Sequence, residues 1–251
     1  SLIRFGTDDI PNTTQLIDKD GNIDYDRITK FSAADYALLI SYARRLPMGL
    51  EVGGNFKIIH RRIGDFANSW GIGLDAGLNY SHKDWKFAAV LRDVTTTVNA
   101  WSYSIDDATR EVFEATGNEI PENSTEITLP RLLLGVSREY QLSPKFSLLA
   151  EANLNTTFDG KRNSLIRSNA FSTDPTLGIE VGYKNIVFLR TGIHNIQWIR
   201  QFAGSESISL MPNIGLGIAF KKFQIDYALS NIGNQSLALF SNVFSLSFGI
   251  N

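Results

Sequence analysis

The chain has 251 residues, a formal net charge of -2 and no cysteine. It offers no basic field to draw nucleic acid, and no disulfide, thiolate metal site or cysteine nucleophile. No run of 18 apolar residues occurs, which excludes a spanning helix. Sixteen Phe, eight Tyr and 20 Gly in a chain with little helical periodicity point instead to many strands, some crowded on one face.

In chain order, residues 1–32 are mostly polar, with Pro11 and an acidic turn, and read as a loop. Ser1-Leu2-Ile3-Arg4 lacks the charged start and apolar core of a signal peptide. Within the loop, Asp18, Asp20, Asn22 and Asp24 place oxygen donors at alternate positions, a pattern that suits calcium. Against that, the glycine is fourth rather than sixth and the twelfth residue is Thr29 rather than a bidentate Glu. Asp-Gly-Asn is also an ordinary turn.

From residue 33 onward a period of two sets in. Trp70, Ile72, Leu74, Ala76, Leu78 and Tyr80 alternate without error with Gly71, Gly73, Asp75, Gly77 and Asn79. The last strand sets Phe244, Leu246, Phe248 and Ile250 against Ser245, Ser247, Gly249 and Asn251. About eleven such segments are expected: 33–46, 48–60, 69–81, 85–96, 127–142, 145–158, 174–184, 186–196, 207–221, 223–231 and 242–251. Their length suits a tilted membrane crossing of about 9 to 11 residues better than the strand of about 5 to 6 residues usual in a soluble sandwich.

The connections alternate as well. Tight turns fall at Pro47, His82-Lys83-Asp84, Ser143-Pro144, Lys184-Asn185 and Lys221-Lys222. Longer loops lie between them at 61–68, 97–126, 159–173, 197–206 and 232–241. Outer-membrane barrels have this asymmetry, whereas Greek-key sandwiches do not keep it. In the longest loop, 104–117 carries a capping residue, helix formers and a final glycine, and predicts a short helix.

Charged residues on strands gather on the glycine face, among them Glu51, Lys57, Asp75, Glu151 and Glu180, which are therefore expected to face a lumen. Aromatic residues cap the apolar stripes, as at lipid interfaces. The expectation is an all-β antiparallel transmembrane barrel in the bacterial outer membrane, with lipid as its first partner. An odd strand count conflicts with the even counts of single-chain bacterial barrels. Upstream strands are therefore expected beyond this sequence, with 1–32 an outer loop and 33–251 the barrel.

No catalytic motif stands out. His60, His82 and His194 fall on separate elements, and inner-face charge more often solvates a lumen than performs catalysis. A non-enzymatic protein without a cofactor is expected. For binding a partner, Trp198, Arg200 and Phe202 in the 197–206 loop offer an aromatic and arginine surface of the kind enriched in hot spots. Trp198 may equally anchor the outer interface.

Several motifs carry a resemblance. Phe5-Gly6-Thr7-Asp8-Asp9-Ile10-Pro11-Asn12-Thr13, Asp20-Gly21-Asn22-Ile23-Asp24-Tyr25 and Phe31-Ser32-Ala33-Ala34-Asp35-Tyr36-Ala37 leading into Ser41-Tyr42-Ala43-Arg44 resemble the PorV/PorQ family of Bacteroidota outer-membrane proteins. So do Leu91-Arg92-Asp93-Val94-Thr95-Thr96-Thr97 and the ending from Asp226-Tyr227-Ala228 through Phe248. That family is related to the long-chain fatty acid transporter barrels, so the resemblance implies fourteen strands, an N-terminal hatch, and the hatch and first strands missing here. It also implies a non-catalytic role in type IX secretion, binding the translocon barrel or the C-terminal signal domains of secreted cargo. These residues do not divide the PorV-like branch from the PorQ-like one. The alternative is a transporter of hydrophobic small molecules of the fatty acid transporter type, against which the charged, glycine-rich inner faces count.

Overall fold

The computed structural model describes residues 1–17, 22–200, 204–232 and 240–249. Fifteen strands and one α-helix are assigned among them. The strands are β1 (Leu2–Asn12), β2 (Thr29–Arg45), β3 (Leu50–Ile63), β4 (Ala67–His82), β5 (Trp85–Arg92), β6 (Thr97–Tyr103), β7 (Ser124–Thr128), β8 (Arg131–Gln141), β9 (Phe146–Thr157), β10 (Ile166–Arg167), β11 (Ser172–Tyr183), β12 (Val187–Arg200), β13 (Glu206–Phe220), β14 (Phe223–Ser230) and β15 (Ser241–Phe248); helix α1 is Asp107–Thr116. The main strand order is β1-β2-β3-β4-β5-β8-β9-β11-β12-β13-β14-β15. Neighbouring strands pair antiparallel, as short hairpin connections require.

Two compact units divide the chain: Ser1–Tyr42, Gly54–Asp75 and Asp93–Leu129 form the first, and Ala43–Gly53, Ala76–Arg92 and Pro130–Asn251 the second. In the first, β1 pairs with β2, the start of β4 with β6, and β6 with β7. In the second, the end of β4 pairs with β5, and the meander runs on through β8 to β15. Its turns are tight. Lys184 and Asn185 both take left-handed φ, 53° and 55°, the conformation that two central hairpin residues adopt when the turn follows the twist of its strands.

Burial is inverted relative to a water-soluble domain. Along β4, Ser69 and Asp75 are 0% and 8% exposed, whereas Trp70 and Ile72 between them are 59% and 58% exposed. Among the described residues the buried set is Lys57, Asp75, Asp93, Asn99, a series of Ser and Thr and several glycines, with Ala67 its one hydrophobic member. A sheet that hides its charges and presents Leu, Ile and Phe outward is matched to hydrocarbon, where each apolar side chain costs nothing and each unmet polar group costs several kcal/mol.

Four expectations need correction. Leu2–Asn12 form β1 rather than part of a loop, and β2 already begins at Thr29. A bulge between Thr7 and Ile10, with Asp9 at φ 59°, shifts the register and hides the alternation, and the position of β1 at the end of the strand order tolerates Pro11. Second, the expected strand 85–96 stops at Arg92 and resumes as β6, because Asp93 and Thr96 turn the chain through left-handed φ (54° and 62°). Third, 127–142 divides into β7 and β8 around Pro130, so the expected loop 97–126 contains strand as well as the expected helix. Fourth, the expected long loop 61–68 is a turn of three residues, 64–66, because β3 and β4 extend into it, so the short–long alternation breaks at this connection. The short-turn connections stand where expected.

If the exposed stripe faces lipid, Ile179→Arg will destabilise the inserted protein by about 2–4 kcal/mol, read by denaturant titration in phospholipid vesicles. A water-exposed position would tolerate the change with no measurable loss.

Candidate functional site

The first unit holds a buried knot of charge. Lys57 on β3 donates to Asp75 Oδ1 on β4 (2.7 Å) and to Asp93 Oδ1 (2.5 Å). Thr97 Oγ1 donates to the same Asp93 oxygen (2.5 Å), the Asp93 N–H donates to Asp75 Oδ1 (2.9 Å), and Asn55 Nδ2 reaches Asp75 Oδ2 (3.4 Å). All four principal side chains are buried. The knot sits where β4 changes partner: Ala67–Ile72 pair with β6 and Ala76–His82 with β5. Gly73 lies at this junction because a Cβ there would overlap the Thr97 hydroxyl. The arrangement ties Asp93 and the start of β6 back to β3 and β4 through ion pairs and hydrogen bonds.

Above it, Arg61 pairs with Asp35 (3.4 Å) and Glu126 (3.1 Å), and Trp101 Nε1 donates to Glu126 Oε2 (2.8 Å). A cavity of about 940 Å³ in the same unit is walled by Phe31, Phe66, Ile105 and Phe113, with Arg4 and Arg62 among its polar groups. Helix α1 supplies Phe113 and Thr109 to this wall. Asp106 caps α1 by accepting from the Thr109 N–H (2.6 Å), and Gly117 ends it at φ 68°. That N–H, with the Thr109 side chain, holds the Asp106 carboxyl below the usual carboxylate range.

In the second unit, Arg190 joins Glu180 (2.5 Å) and Asp226 (2.5 Å), and Gln224 also donates to Asp226 (2.9 Å). Asn213 Oδ1 accepts from Ser230 (2.7 Å) and from the Asn231 N–H (3.1 Å), so its Nδ2 donates to His194 Nδ1 (2.8 Å). His194 Nε2 therefore carries the proton and donates to Asn231 Oδ1 (3.1 Å). The ring is held between two amides.

Of the five residues expected on the glycine face, Lys57 and Asp75 meet in the knot and Glu180 joins Arg190. Glu151 accepts from Asn153 (2.7 Å) and Glu51 from Arg45 (2.9 Å), the two acids lining one polar recess with Lys86. Trp198 and Arg200 lie on β12 rather than in a loop, and Trp198 Nε1 donates to the Leu165 carbonyl (3.3 Å); Phe202 lies outside the described residues. Of the calcium candidates, Asp18 and Asp20 lie outside them too, while Asp24 accepts from the Asp26 N–H (3.1 Å) and pairs with Arg27 (3.4 Å). Among the described residues no three acidic or histidine side chains group as a metal site. Sequence reasoning missed Asp93 and Thr97; the signal was an Asp and a run of Thr closing an apolar strand.

A wall of antiparallel strands with apolar side chains outward and paired charges on the other face defines a transmembrane β-barrel of the bacterial outer membrane. No helix among the described residues is long and apolar enough to cross a membrane. Neither a family model nor a curated protein matches the chain. Among solved structures it is similar to the monoaromatic hydrocarbon channel CymD, at 13% identity and a TM-score of 0.51 over 90% of this chain and 72% of that one. It is also similar to the Pseudomonas putida toluene transporter TodX, at 11% identity and a TM-score of 0.51 over 91% and 72%. These likenesses show the fold.

Removing Lys57 strands two buried carboxylates. Lys57→Met is expected to cost about 3–5 kcal/mol in a urea titration in micelles, and adding Asp75→Asn and Asp93→Asn should recover much of it. Asp106→Ala should loosen α1 by about 1 kcal/mol, seen as faster amide exchange across 107–116. Because the folded pKa of Asp106 is depressed, its contribution is present above the unfolded Asp value and fades as pH falls through the lower folded one. Amide exchange in the wild type, corrected for intrinsic rates, should accelerate in that acidic window, while D106A should show no such step.

Proposed function

We propose that the chain is an outer-membrane transport protein that takes up hydrophobic small molecules through its first unit. The observation that carries this reading is the cavity walled by Phe31, Phe66, Ile105 and Phe113. It has the size of a small-molecule pocket, and its aromatic wall supplies apolar contact beside many polar groups, among them Arg4, Lys30, Arg62 and Asp65. Two solved barrels of the same fold are named for monoaromatic hydrocarbons and toluene, which supports the same class of solute. Helix α1 closes one side of the cavity, so its movement would admit or release the solute. The polar side chains of the two units form ion pairs, caps and amide networks, and the reading assigns the protein no catalysis.

A second reading is favoured by the sequence motifs that resemble the PorV/PorQ family. Asp93 and Thr97 of one motif build the buried knot, and Asp226 of another holds Arg190. A barrel whose polar face is tied by such networks suits a non-catalytic secretion component that binds the type IX translocon barrel or cargo signal domains.

Purified protein in micelles should bind a fluorescent hydrophobic probe saturably and release it to toluene or a fatty acid. Phe113→Arg with Phe31→Arg should weaken that binding about tenfold or more. Absence of saturable binding sinks the first reading. Recovery of a large secretion barrel or a secreted protein with a tagged copy supports the second.

A further inference from the structure

At the short-turn end of the second unit, basic side chains collect without acidic partners. The turns there carry Lys83, Lys145, Lys184, Lys221 and Lys222, all exposed. Backbone hydrogen bonds set these turns side by side: Glu139 N–H to the Asp84 carbonyl (3.1 Å), Lys184 N–H to the Lys145 carbonyl (2.7 Å) and Ala219 N–H to the Ile186 carbonyl (2.7 Å). Asp84 and Glu139 are the nearby carboxylates in sequence, yet neither forms an ion pair with these lysines among the described residues.

Aromatic rings lie along the same rim on the outward face. Phe146 packs on Tyr183 (5.0 Å between centroids), Phe223 on Phe248 (4.8 Å) and Trp85 on Phe87 (6.1 Å). The Lys184 and Lys221 ammonium groups sit over Tyr183 and Phe220, at 5.4 and 5.3 Å. Such rings seek the headgroup level of a bilayer.

Arg138 on β8 lies on this rim between the turns that carry Lys83 and Lys145. It lies opposite Trp85 in register, with its guanidinium over that ring at 5.1 Å and over Tyr140 at 4.5 Å. The rings take up the faces of the guanidinium, so what remains for recognition is its edge, the fork of N–H donors that fits oxyanions. Its Nε is closed off with no hydrogen-bond partner within the protein, so the terminal Nη groups are the part of the edge that meets an oxyanion.

From these observations we infer that the short-turn rim of the second unit binds the phosphate of an anionic membrane phospholipid, with Arg138 at the headgroup and the turn lysines spread along the rim beside it. The inference rests on the membrane reading of the fold and is independent of the solute. A lipid phosphate is chosen over a free one because the aromatic rings on the outward face would meet acyl chains, which only a lipid brings. Anionic headgroups attract each nearby Lys or Arg by about 1 kcal/mol, or about fivefold in affinity.

Native mass spectrometry of the protein in micelles, titrated with dioleoylphosphatidylglycerol or dioleoylphosphatidylcholine, tests this. The wild type should retain the anionic lipid preferentially, and Arg138→Gln should lower that retention by about fivefold or more. Equal retention by wild type and folded R138Q overturns the site. Should R138Q fail to fold, as judged by gel mobility without heating, Lys145→Gln with Lys184→Gln in the exposed turns gives the same reading: lowered retention supports the site and unchanged retention overturns it. Added inorganic phosphate should leave the lipid bound; its displacement at comparable concentration would mark a free-anion site and overturn the lipid assignment.

Discussion

Everything in this molecule follows from placing a polypeptide where water is absent. Hydrocarbon cannot satisfy an N–H or a carbonyl, so each strand must find its partners in its neighbours, and the meander from β8 to β15 does so with antiparallel ladders. The same surroundings reverse the usual sorting of side chains. Apolar residues gain nothing by hiding and are left outward, while Lys57, Asp75, Asp93 and Asn99 are buried on the other face. Stability then comes from the ladders and from polar pairs in a water-poor interior rather than from a packed apolar core.

That reversal explains the cost and use of the knot around Lys57. A buried ion pair seldom adds net stability over an apolar substitute. Here it falls at the one place where β4 exchanges β5 for β6 and the strand after Arg92 turns through two left-handed residues. Where the ladder is interrupted, side chains must take over its role, and a lysine shared by two carboxylates fixes the geometry of the break. In the second unit Arg190, between Glu180 and Asp226, ties β11, β12 and β14 in the same manner.

The legibility of the sequence follows the same physics. Alternation over Trp70–Tyr80 or Phe244–Phe248 is unmistakable, because a two-residue period needs only side-chain identity, and the tight turns announce themselves through Lys-Asn, Ser-Pro and Lys-Lys pairs. What escaped were irregularities: the bulge at Thr7–Ile10 that conceals β1, and the break at Asp93–Thr96 that divides a strand and opens the hairpin β6–β7. The charges of the site alternate with the apolar stripe in the sequence, but their pairing was hidden. Lys57, Asp75 and Asp93 are separated by 18 residues or more, and only the register brings them together. Arg138 was concealed by its surroundings, since nothing in one sequence marks which arginine will stand between Trp85 and Tyr140.

The strict alternation has a consequence before the protein ever folds. A chain bound for an outer membrane must first pass an inner one and then an aqueous compartment. With an apolar residue at every second position and glycine, serine or a charge between, no segment is continuous enough to be retained as a helix in the first membrane, and the unfolded chain stays divided into short apolar elements in the second compartment. The apolar surface exists only after the strands have extended and paired. The hydrophobic face is thus assembled on arrival, and the pattern that fits the protein to lipid also keeps it out of lipid until then.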